Sequence, residues 1–341
     1  MSEPVPWREL FELSEASGIV TGSRAELIRS LLDSVGALAR TETATLDLKI
    51  ADSALSELVE AFKVFEPYRD TPKLTMFGSA RTKSDDPVYV LAKDLARRVA
   101  DDGWMVVTGA GPGIMQAGAE GAGAERSFGV NIKLPHEQGA NPVIAFDPKL
   151  VEMRYFFTRK LILVKESAAY AVLPGGFGTL DELFELLTLL QTGKALPAPV
   201  VLVETEGATY WHALEEFLER EAIALGYISA EDDTFWSVAN TVDEAMEVFH
   251  RFYSNYQSLR TVGEVLVLRM KVLPSSRELR SINERFSDIV LSGDIHPTEP
   301  LAPEVSSKDS LELARLALRF NRLHYGRLRQ LIDALNECTG S

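Results

Sequence analysis

The middle of the chain alternates between two hydrophobic patterns. From about Lys73 to Val203, short continuous apolar runs alternate with longer segments in which apolar residues recur at helical spacing. The first pattern is typical of buried strands and the second of amphipathic helices. Apolar strands separated by helices indicate a parallel sheet that is covered on both faces. We therefore predict an α/β core with a doubly wound, mostly parallel sheet.

The same pattern defines the flanks of this core. Residues 1–70 show helical spacing, with a capping-box start at Ser23 and Glu26, and predict an N-terminal helical extension. Residues 149–167 carry large apolar residues and predict one helix. Beyond residue 254, a strand, helices and a proline-rich linker predict a C-terminal α+β or helical extension. We expect three regions: 1–70, 71–254 and 255–341.

The last predicted helix spans residues 310–335 and carries five arginines: Arg315, Arg319, Arg322, Arg327 and Arg329. A basic stripe in an acidic protein is one way to bind a ligand. The pattern favours the more ordinary interpretation, a side that faces solvent or another subunit.

Composition narrows the possible partners. The 341 residues carry a formal net charge of −15, and 46% of them are hydrophobic. Such an acidic surface argues against nucleic acid polymers and anionic membranes, whereas a small anionic ligand needs only a locally positive site. The single cysteine, Cys338, excludes an internal disulfide and a thiolate zinc cluster. The histidines show no metal-ligand spacing, so we expect neither a metal nor a cofactor.

The sequence also carries an expectation about location. The N-terminus lacks the basic-then-apolar order of a secretion signal. No run reaches the roughly 18 apolar residues that span a bilayer. We therefore expect a soluble, cytoplasmic protein.

Glycine-rich corners follow three of the predicted strands. They are FGSAR with Gly78, Ser79 and Arg81, TGAGPGIM with Gly109, Gly111 and Gly113, and PGGFGT with Gly175, Gly176 and Gly178. Ligands of a parallel sheet bind outside the carboxyl ends of its strands, which is where such corners lie. The first corner alone is a weak signal, because a Gly-Ser turn needs no ligand.

The second corner, TGAGPGIM, is suited to an anion. Free backbone N–H groups and the dipole of the following helix favour negative charge. A dinucleotide fingerprint would need glycine at position 114, where the chain has Ile114, and the next strand lacks the acid expected for a ribose diol. A Walker-type loop does not match either. A monophosphate therefore fits better than NAD or a nucleoside triphosphate.

The third corner allows two interpretations. Thr179 and Glu182 form a capping-box pattern, in which Glu182 would reach back to the Thr179 amide. Alternatively, Gly175, Gly176 and Gly178 hold a phosphate. The nearby carboxylate would then stabilise positive charge at a sugar anomeric carbon or activate a water there. The roles do not exclude each other.

Two cations, Arg159 and Lys160, precede the strand that enters this third corner. A guanidinium pairs bidentately with phosphate or orients a carboxylate. An exposed Arg-Lys pair without a ligand is the commoner case when nothing else is known. The sequence leaves both interpretations open.

The combination of these segments resembles the Lonely Guy (LOG) family, which is often mislabelled lysine decarboxylase. PGGFGTLDE, from Pro174 to Glu182, is similar to the P-G-G-x-G-T-x-x-E signature of the family, and Arg159-Lys160 lies at the family's spacing upstream. TGAGPGIMQAGAEGA and GVNIKLPHEQ are similar to its longer bacterial members. The resemblance covers about residues 73 to 250. Nothing in the sequence marks the lysine that a pyridoxal phosphate decarboxylase would need.

The resemblance implies a Rossmann-like nucleotide-binding fold in a homodimer or larger homo-oligomer. It implies that Arg159 and Glu182 are catalytic. It also implies nucleotide contacts at Lys160, Gly175, Gly176, Gly178, Thr179 and Thr188, and an acidic contact at Glu137. From the other corners we add Ser79, Gly109, Gly111 and Gly113 as candidate phosphate-binding residues.

The implied activity is hydrolysis of the N-glycosidic bond of a nucleoside 5′-monophosphate, AMP-like or a cytokinin ribotide, to free base and ribose 5-phosphate. The competing function is a module that senses a nucleotide or another phosphorylated ligand without hydrolysing it. An assembly protein whose extra helices dominate its role is a third possibility. The Arg159 and Glu182 pair favours the enzyme, since a sensor would not require it.

Overall fold

The computed structural model describes residues 22–133 and 139–338. The chain divides into two compact units after Val59. The first unit contains α1 (Gly22–Arg40) and most of α2 (Thr45–Phe65), and both helices confirm the helical pattern predicted there. The features described below belong to the second unit, which begins at Glu60.

A seven-stranded parallel sheet forms the centre of the second unit, which confirms the predicted doubly wound α/β fold. The strands lie in the order β4-β3-β2-β1-β5-β6-β7. They are β1 (Lys73–Phe77), β2 (Met105–Thr108), β3 (Ser127–Ile132), β4 (Leu150–Met153), β5 (Ala169–Val172), β6 (Val200–Val203) and β7 (Trp236–Ala239). The chain builds outward from β1 and then returns to β5 on the other side. The order therefore reverses between β1 and β5, the place where such sheets bind ligands.

Helices connect these strands and cover both faces of the sheet. They are α3 (Pro87–Asp101), α4 (Ile114–Ala122), α5 (Phe156–Lys165), α6 (Phe177–Gln191), α7 (Tyr210–Phe217) and α8 (Val242–Phe252). Apolar residues of α3, α4 and α8 pack with Leu74 and Met76 of β1 in one buried cluster. The intervening Thr75 points to the other face, where its hydroxyl donates to the Leu163 carbonyl of α5. The alternation along β1 thus places α5 opposite α3 and α4.

A second, four-stranded antiparallel sheet follows in the C-terminal region, in the order β10-β11-β9-β8. Its elements are β8 (Tyr256–Val262), β9 (Val265–Met270), α9 (Ser276–Arg285), β10 (His296–Pro297), α10 (Ala302–Ser307), β11 (Ala314–Leu318) and α11 (Tyr325–Asn336). The sheet buries Leu268 and Leu316 against α9 and α11. The predicted α+β character of this extension is confirmed.

Two predicted helices are wrong in part. The helix predicted over residues 149–167 contains strand β4 before α5 begins at Phe156. The helix predicted over residues 310–335 contains strand β11 before α11 begins at Tyr325. Both strands are short, so their apolar residues fit either period. Pairing with a neighbouring strand, β3 or β9, decides the outcome.

The predicted stripe of arginines does not form, because the segment that carries it is a strand followed by a helix and not one helix. Arg315 and Arg329 are buried, and Arg329 pairs with Asp333 at 3.2 Å. Arg327 donates to Asp288 at 2.9 Å, and Arg319 pairs with Glu264. The proline-rich segment predicted as a linker also carries structure, because it contains β10 and α10. Within the described ranges, no helix is both long and apolar enough to cross a bilayer.

Candidate functional site

The three glycine corners meet at the switch point of the parallel sheet. They follow β1, β2 and β5, and they surround an open cavity of about 800 Å³. The residues that line it are Met76, Phe77, Gly78, Ser79, Ala80, Arg81, Gly109, Met115, Ile132, Phe156, Arg159, Gly176, Phe177, Gly178, Thr179, Leu180, Asp181 and Glu182. Adjacent parallel strands thus bring together segments that lie far apart in the sequence.

Close backbone contacts lock the corners to one another. The Ile114 amide donates to the Ser79 carbonyl at 3.0 Å, and the Ser79 amide donates to the Pro174 carbonyl at 3.2 Å. Gly113 has a φ of +64°, and a Cβ there would lie 2.3 Å from the Ser79 oxygen. Only glycine allows this approach. The first corner therefore links the second and the third.

Arg159 and Glu182 form an ion pair at the wall of the cavity. Arg159 Nη1 donates to Glu182 Oε1 at 2.7 Å, and Arg159 Nε donates to the Val130 carbonyl at 2.9 Å. The two side chains are only 9% and 13% exposed. Gly109 makes room for the guanidinium, because a Cβ there would lie 2.2 Å from Arg159 Nη2. The corner after β2 thus leaves room for Arg159 of α5, which pairs with Glu182 of α6.

Burial raises the pKa of Glu182 above its ordinary value. The charge and the hydrogen bond of Arg159 act in the opposite direction, but one guanidinium does not outweigh the lost solvation. A carboxylate whose pKa is raised toward neutral pH is a better proton acceptor than an exposed one. Carboxyl groups in clefts whose pKa is shifted by burial and by a specific charge partner are typical of functional sites.

The capping-box interpretation of the third corner is wrong. Helix α6 begins at Phe177 with Gly176 as its N-cap, three residues before the N-cap position that the capping box assigns to Thr179. Thr179 is therefore inside the first turn, where its hydroxyl packs over Gly175: a Cβ at Gly175 would lie 2.2 Å from Thr179 Oγ1. The carboxylate of Glu182 is engaged by Arg159 instead of the Thr179 amide.

The start of α6 is suited to binding an anion, and we call this segment, Gly176 to Thr179, the anion seat. The first amides of a helix have no partner within the helix, and the helix dipole adds positive potential there. Gly176 and Gly178 line the cavity, and a Cβ at either would meet nothing within 4 Å. The backbone is therefore open to a close oxyanion, while Thr179 is held nearby.

Two predicted contacts lie away from this cavity. Lys160 Nζ donates to Asp181 at 2.8 Å and to Glu185 at 2.7 Å. Burial would lower the pKa of Lys160, but the hydrogen bonds that it donates to these two carboxylates, with their charges, raise it overall. Thr188 is exposed, and its hydroxyl donates to the Phe184 carbonyl at 2.7 Å. Lys160 belongs to α5 and Thr188 to α6, and neither lines the cavity.

The remaining predicted contacts divide into three groups. Ser79 and Gly109 line the cavity. Gly111 and Gly113 shape the second corner without lining it, and a Cβ at Gly111 would lie 2.6 Å from Met115 Cε. Glu137 lies outside the described residues.

Some residues that build the site were not singled out from the sequence. Asn141 Nδ2 donates to the carbonyls of Ala110 and Gly111, at 3.0 and 3.2 Å, and so supports the second corner. Met115 and Phe156 add apolar surface to the cavity. An asparagine in a loop and apolar residues in helices have no distinctive sequence pattern. Only the fold therefore identifies them as residues of the site. In the described part of the chain, no three His, Cys, Asp or Glu side chains cluster as they would around a metal ion.

The fold and the site define a class of protein. It is a doubly wound α/β protein with glycine-rich corners and an Arg–Glu ion pair at the switch point of its parallel sheet. A family model described as "Possible lysine decarboxylase" matches residues 112–249. The Arabidopsis thaliana protein described as "Probable cytokinin riboside 5′-monophosphate phosphoribohydrolase LOG6" is 33% identical over 145 residues, which are 42% of this chain and 68% of that protein. The chain belongs to the LOG family.

Other relatives match over shorter stretches. The cytokinin riboside 5′-monophosphate phosphoribohydrolase LOG4 of A. thaliana is 32% identical over 103 residues, 30% of this chain and 46% of that protein. LOG1 from the same plant is 42% identical over 71 residues, 21% of this chain and 32% of that protein. These two matches span less than half of the relatives.

Two solved structures align with about half of the chain. The X-ray structure of the structural genomics target TM1055 is 21% identical and covers 53% of this chain and 99% of that one, with a TM-score of 0.38. The molybdenum cofactor binding protein of Rippkaea orientalis is 20% identical and covers 52% of this chain and 94% of that one, also with a TM-score of 0.38.

Proposed function

We propose that this protein hydrolyses the N-glycosidic bond of a nucleoside 5′-monophosphate and releases free base and ribose 5-phosphate. One observation carries the proposal: the largely buried Arg159–Glu182 pair lies in the wall of the cavity that the glycine corners surround. The anion seat and the candidate catalytic carboxylate of Glu182 thus face the same cavity. The names of the family relatives support the same reaction class.

The start of α6 would hold the 5′-phosphate. The amides of Gly176 and Gly178, the Thr179 hydroxyl and the helix dipole are suited to a phosphate group. Glu182 lies one helical turn beyond Gly178, about 6 Å along the helix axis at 1.5 Å per residue. That separation suits a phosphorylated sugar, whose anomeric carbon would then lie near the carboxylate.

Glu182 would act at the bond that breaks. As the base departs, positive charge develops at C1′, and an ionised carboxylate stabilises it. The same carboxylate positions a water and accepts its proton while the water oxygen bonds to C1′. The proton passes on to the departing base nitrogen, so one water is consumed. Arg159 fixes the orientation of the carboxylate through its bonds to Glu182 and Val130.

The cavity also suits the rest of the substrate. Met115, Ile132 and Phe156 give it an apolar part that can accept the flat face of a base. AMP-like nucleotides and cytokinin ribotides both fit this description, and we propose them as the substrate class. The cytoplasm supplies such nucleotides, and we propose it as the site of action.

Turnover of nucleotides tests this proposal. Purified protein is incubated with AMP, with other nucleoside monophosphates and with adenosine as the phosphate-free control, and free base is measured by chromatography. We expect base release from a monophosphate and little from adenosine. Tight nucleotide binding without base release would instead support the sensing module.

We further propose that the protein acts as a homodimer or a larger homo-oligomer, as the family resemblance implies. Five apolar side chains of α5 and α6 are exposed, and the first and fourth of them line the cavity: Phe156, Phe157, Leu161, Phe177 and Phe184. A second copy of the chain would remove this surface from water. Light scattering of the purified protein should give at least twice the 37.6 kDa mass of one chain. A monomeric mass at assay concentration would contradict the proposal.

A further inference from the structure

A tyrosine from outside the three corners contacts the third one. Tyr210, the first residue of α7, donates its phenol to the carbonyl of Gly175 at 2.6 Å. We propose that Tyr210 is a positioning residue for the anion seat, because it fixes the peptide unit whose amide belongs to Gly176. The ligand of the seat rests on the proposed function, whereas the positioning itself concerns the protein backbone.

The geometry of the peptide bond gives this contact its consequence. The carbonyl of Gly175 and the N–H of Gly176 belong to one planar trans unit, so they point in opposite directions. A hydrogen bond that holds the carbonyl on the α7 side therefore directs the Gly176 N–H away from α7. Gly176 itself lines the cavity and has nothing within 4 Å of its Cβ position.

Glycine neighbours make such a restraint necessary. Peptide units between glycines rotate more freely than others, because no Cβ restricts the backbone. Gly175 and Gly176 are consecutive, so without the phenol their peptide unit can rotate and direct its carbonyl, a repulsive group, toward the anion. Tyr210 restricts this rotation before the anion binds, so the anion seat is preorganised.

Tyr210 is in turn held by Glu204. This carboxylate follows β6, is fully buried, and accepts the Trp211 amide at the start of α7 through Oε2 at 3.0 Å. Trp211 Nε1 donates to the Val203 carbonyl at 3.2 Å, and the Trp211 and Tyr210 rings pack edge to face at 4.7 Å. Glu204 thus caps α7 from a distance and sets the place from which Tyr210 reaches Gly175.

The chain offers a matched control at the other end of the same strand. Tyr253 donates its phenol to the carbonyl of Ala168, just before β5, at 2.7 Å. Tyr210→Phe and Tyr253→Phe therefore each delete one hydroxyl that bonds to a backbone carbonyl flanking β5. Only the first of them bonds to a residue, Gly175, whose neighbour Gly176 lines the cavity.

The experiment measures the dissociation constant of AMP by calorimetry for the wild type and both variants. We expect Tyr210→Phe to weaken AMP binding roughly 3- to 10-fold, the range of one neutral hydrogen bond. Tyr253→Phe should stay within about twofold, a difference smaller than that hydrogen bond. In the hydrolysis assay Tyr210→Phe should raise KM and leave kcat nearly unchanged, because the Arg159–Glu182 pair is untouched.

Two results would overturn the proposal. One is an unchanged AMP affinity in Tyr210→Phe, and the other is an equal loss in both variants, which would reflect general loosening of β5. A wild type that binds AMP without releasing base would defeat the proposed function, yet the comparison of the two variants would still decide the positioning role. A wild type that does not bind AMP would defeat both.

Glu204 provides an independent check. Glu204→Gln keeps an acceptor oxygen for the Trp211 amide and should bind AMP like the wild type. Glu204→Ala removes the acceptor and should reproduce the loss in Tyr210→Phe. A double variant, Glu204→Ala with Tyr210→Phe, should be no weaker than the weaker single variant. Additive losses would show that Glu204 acts by another route and would overturn its part in the proposal.

Discussion

Two glutamates of this protein meet arginines away from bulk solvent, one in each sheet region. Glu182, beside the parallel sheet, receives one hydrogen bond at Oε1 from Arg159 within the described residues, and it lines a cavity. Glu304, on α10 of the C-terminal region, is fully buried. Its Oε1 accepts from Arg269 Nε and Nη2 at 2.9 and 2.8 Å, and its Oε2 accepts from the Leu301 amide at 3.1 Å.

The pKa values of the two carboxyl groups move in opposite directions. Burial raises the pKa of Glu182, and the single guanidinium of Arg159 does not reverse this. Burial would also raise the pKa of Glu304, but hydrogen bonds from Arg269 and the Leu301 amide, with the charge of Arg315, hold it below the ordinary value. An acid whose two oxygens both accept hydrogen bonds stabilises a fold, whereas one that is engaged at a single oxygen and faces a cavity can take up a proton.

Removing the charge of Glu182 should have the largest effect. Glu182→Gln should reduce base release from AMP by about 10²- to 10⁴-fold, the contribution of a positioned acid or base. AMP binding and the melting temperature should change little, because the raised pKa of Glu182 means that burial already disfavours its ionised form, and the amide keeps the shape. Wild-type turnover in this variant would leave Glu182 without a role in the chemistry.

The same substitution in the second sheet should do the reverse. Glu304→Gln breaks the fully buried pair with Arg269 and should lower the free energy of unfolding by about 3–5 kcal/mol. Turnover of the folded fraction should match the wild type. Denaturant unfolding followed by circular dichroism measures the first quantity and a nucleotide assay the second. A stable variant with impaired turnover would contradict the contrast between the two acids.

Crowding Arg159 should have an intermediate effect. In Gly109→Ala the added Cβ would lie 2.2 Å from Arg159 Nη2, so the guanidinium must shift away from Glu182. A displacement of about 1 Å in a group that orients the catalytic carboxylate costs up to about 10²-fold in rate, so kcat/KM should fall by roughly 10- to 100-fold. Gly123→Ala adds a methyl that meets nothing within 4 Å but strains the backbone at a φ of +75°, so it controls for a loss of stability away from the cavity. Equal turnover in the two variants would show that the Arg159 position does not matter.

The pH dependence should show the smallest effect and the clearest sign. Glu182 must be ionised to act, and its pKa is raised, so kcat/KM should fall on acidification at a pH above the ordinary glutamate value of 4.5. Glu304 has a lowered pKa, so its stabilisation is complete above 4.5 and is lost as the pH falls through its folded value below 4.5. Activity should therefore fall before the fold does. Simultaneous loss, measured by rate and melting temperature across pH, would contradict this order.

Local signals explain what the sequence could predict. The parallel sheet, the three glycine corners and the Arg159–Glu182 candidates all follow from short segments in which a strand, a glycine turn and a helix adjoin. The sheet is confirmed, while the roles of Arg159 and Glu182 stay predictions. The capping-box alternative was wrong because Phe177 and Gly178 already adopt helical structure, which no rule about Thr179 alone would show.

Tertiary contacts explain what the sequence could not predict. Strand β11 has a helix-like composition and becomes a strand only through its pairing with β9. The contact of Tyr210 with Gly175 spans 35 residues, as does the contact of Arg269 with Glu304. One feature of the sequence pointed to the residues that we propose to support the third corner. It is the acid Glu204, which directly follows the apolar strand β6.

The most direct test of the central claim is a crystal structure of Glu182→Gln with AMP bound. We predict that the phosphate contacts the amides of Gly176 and Gly178, and that the side chain at position 182 faces C1′ of the ribose. A phosphate bound elsewhere, or a side chain at position 182 that points away from the sugar, would contradict it.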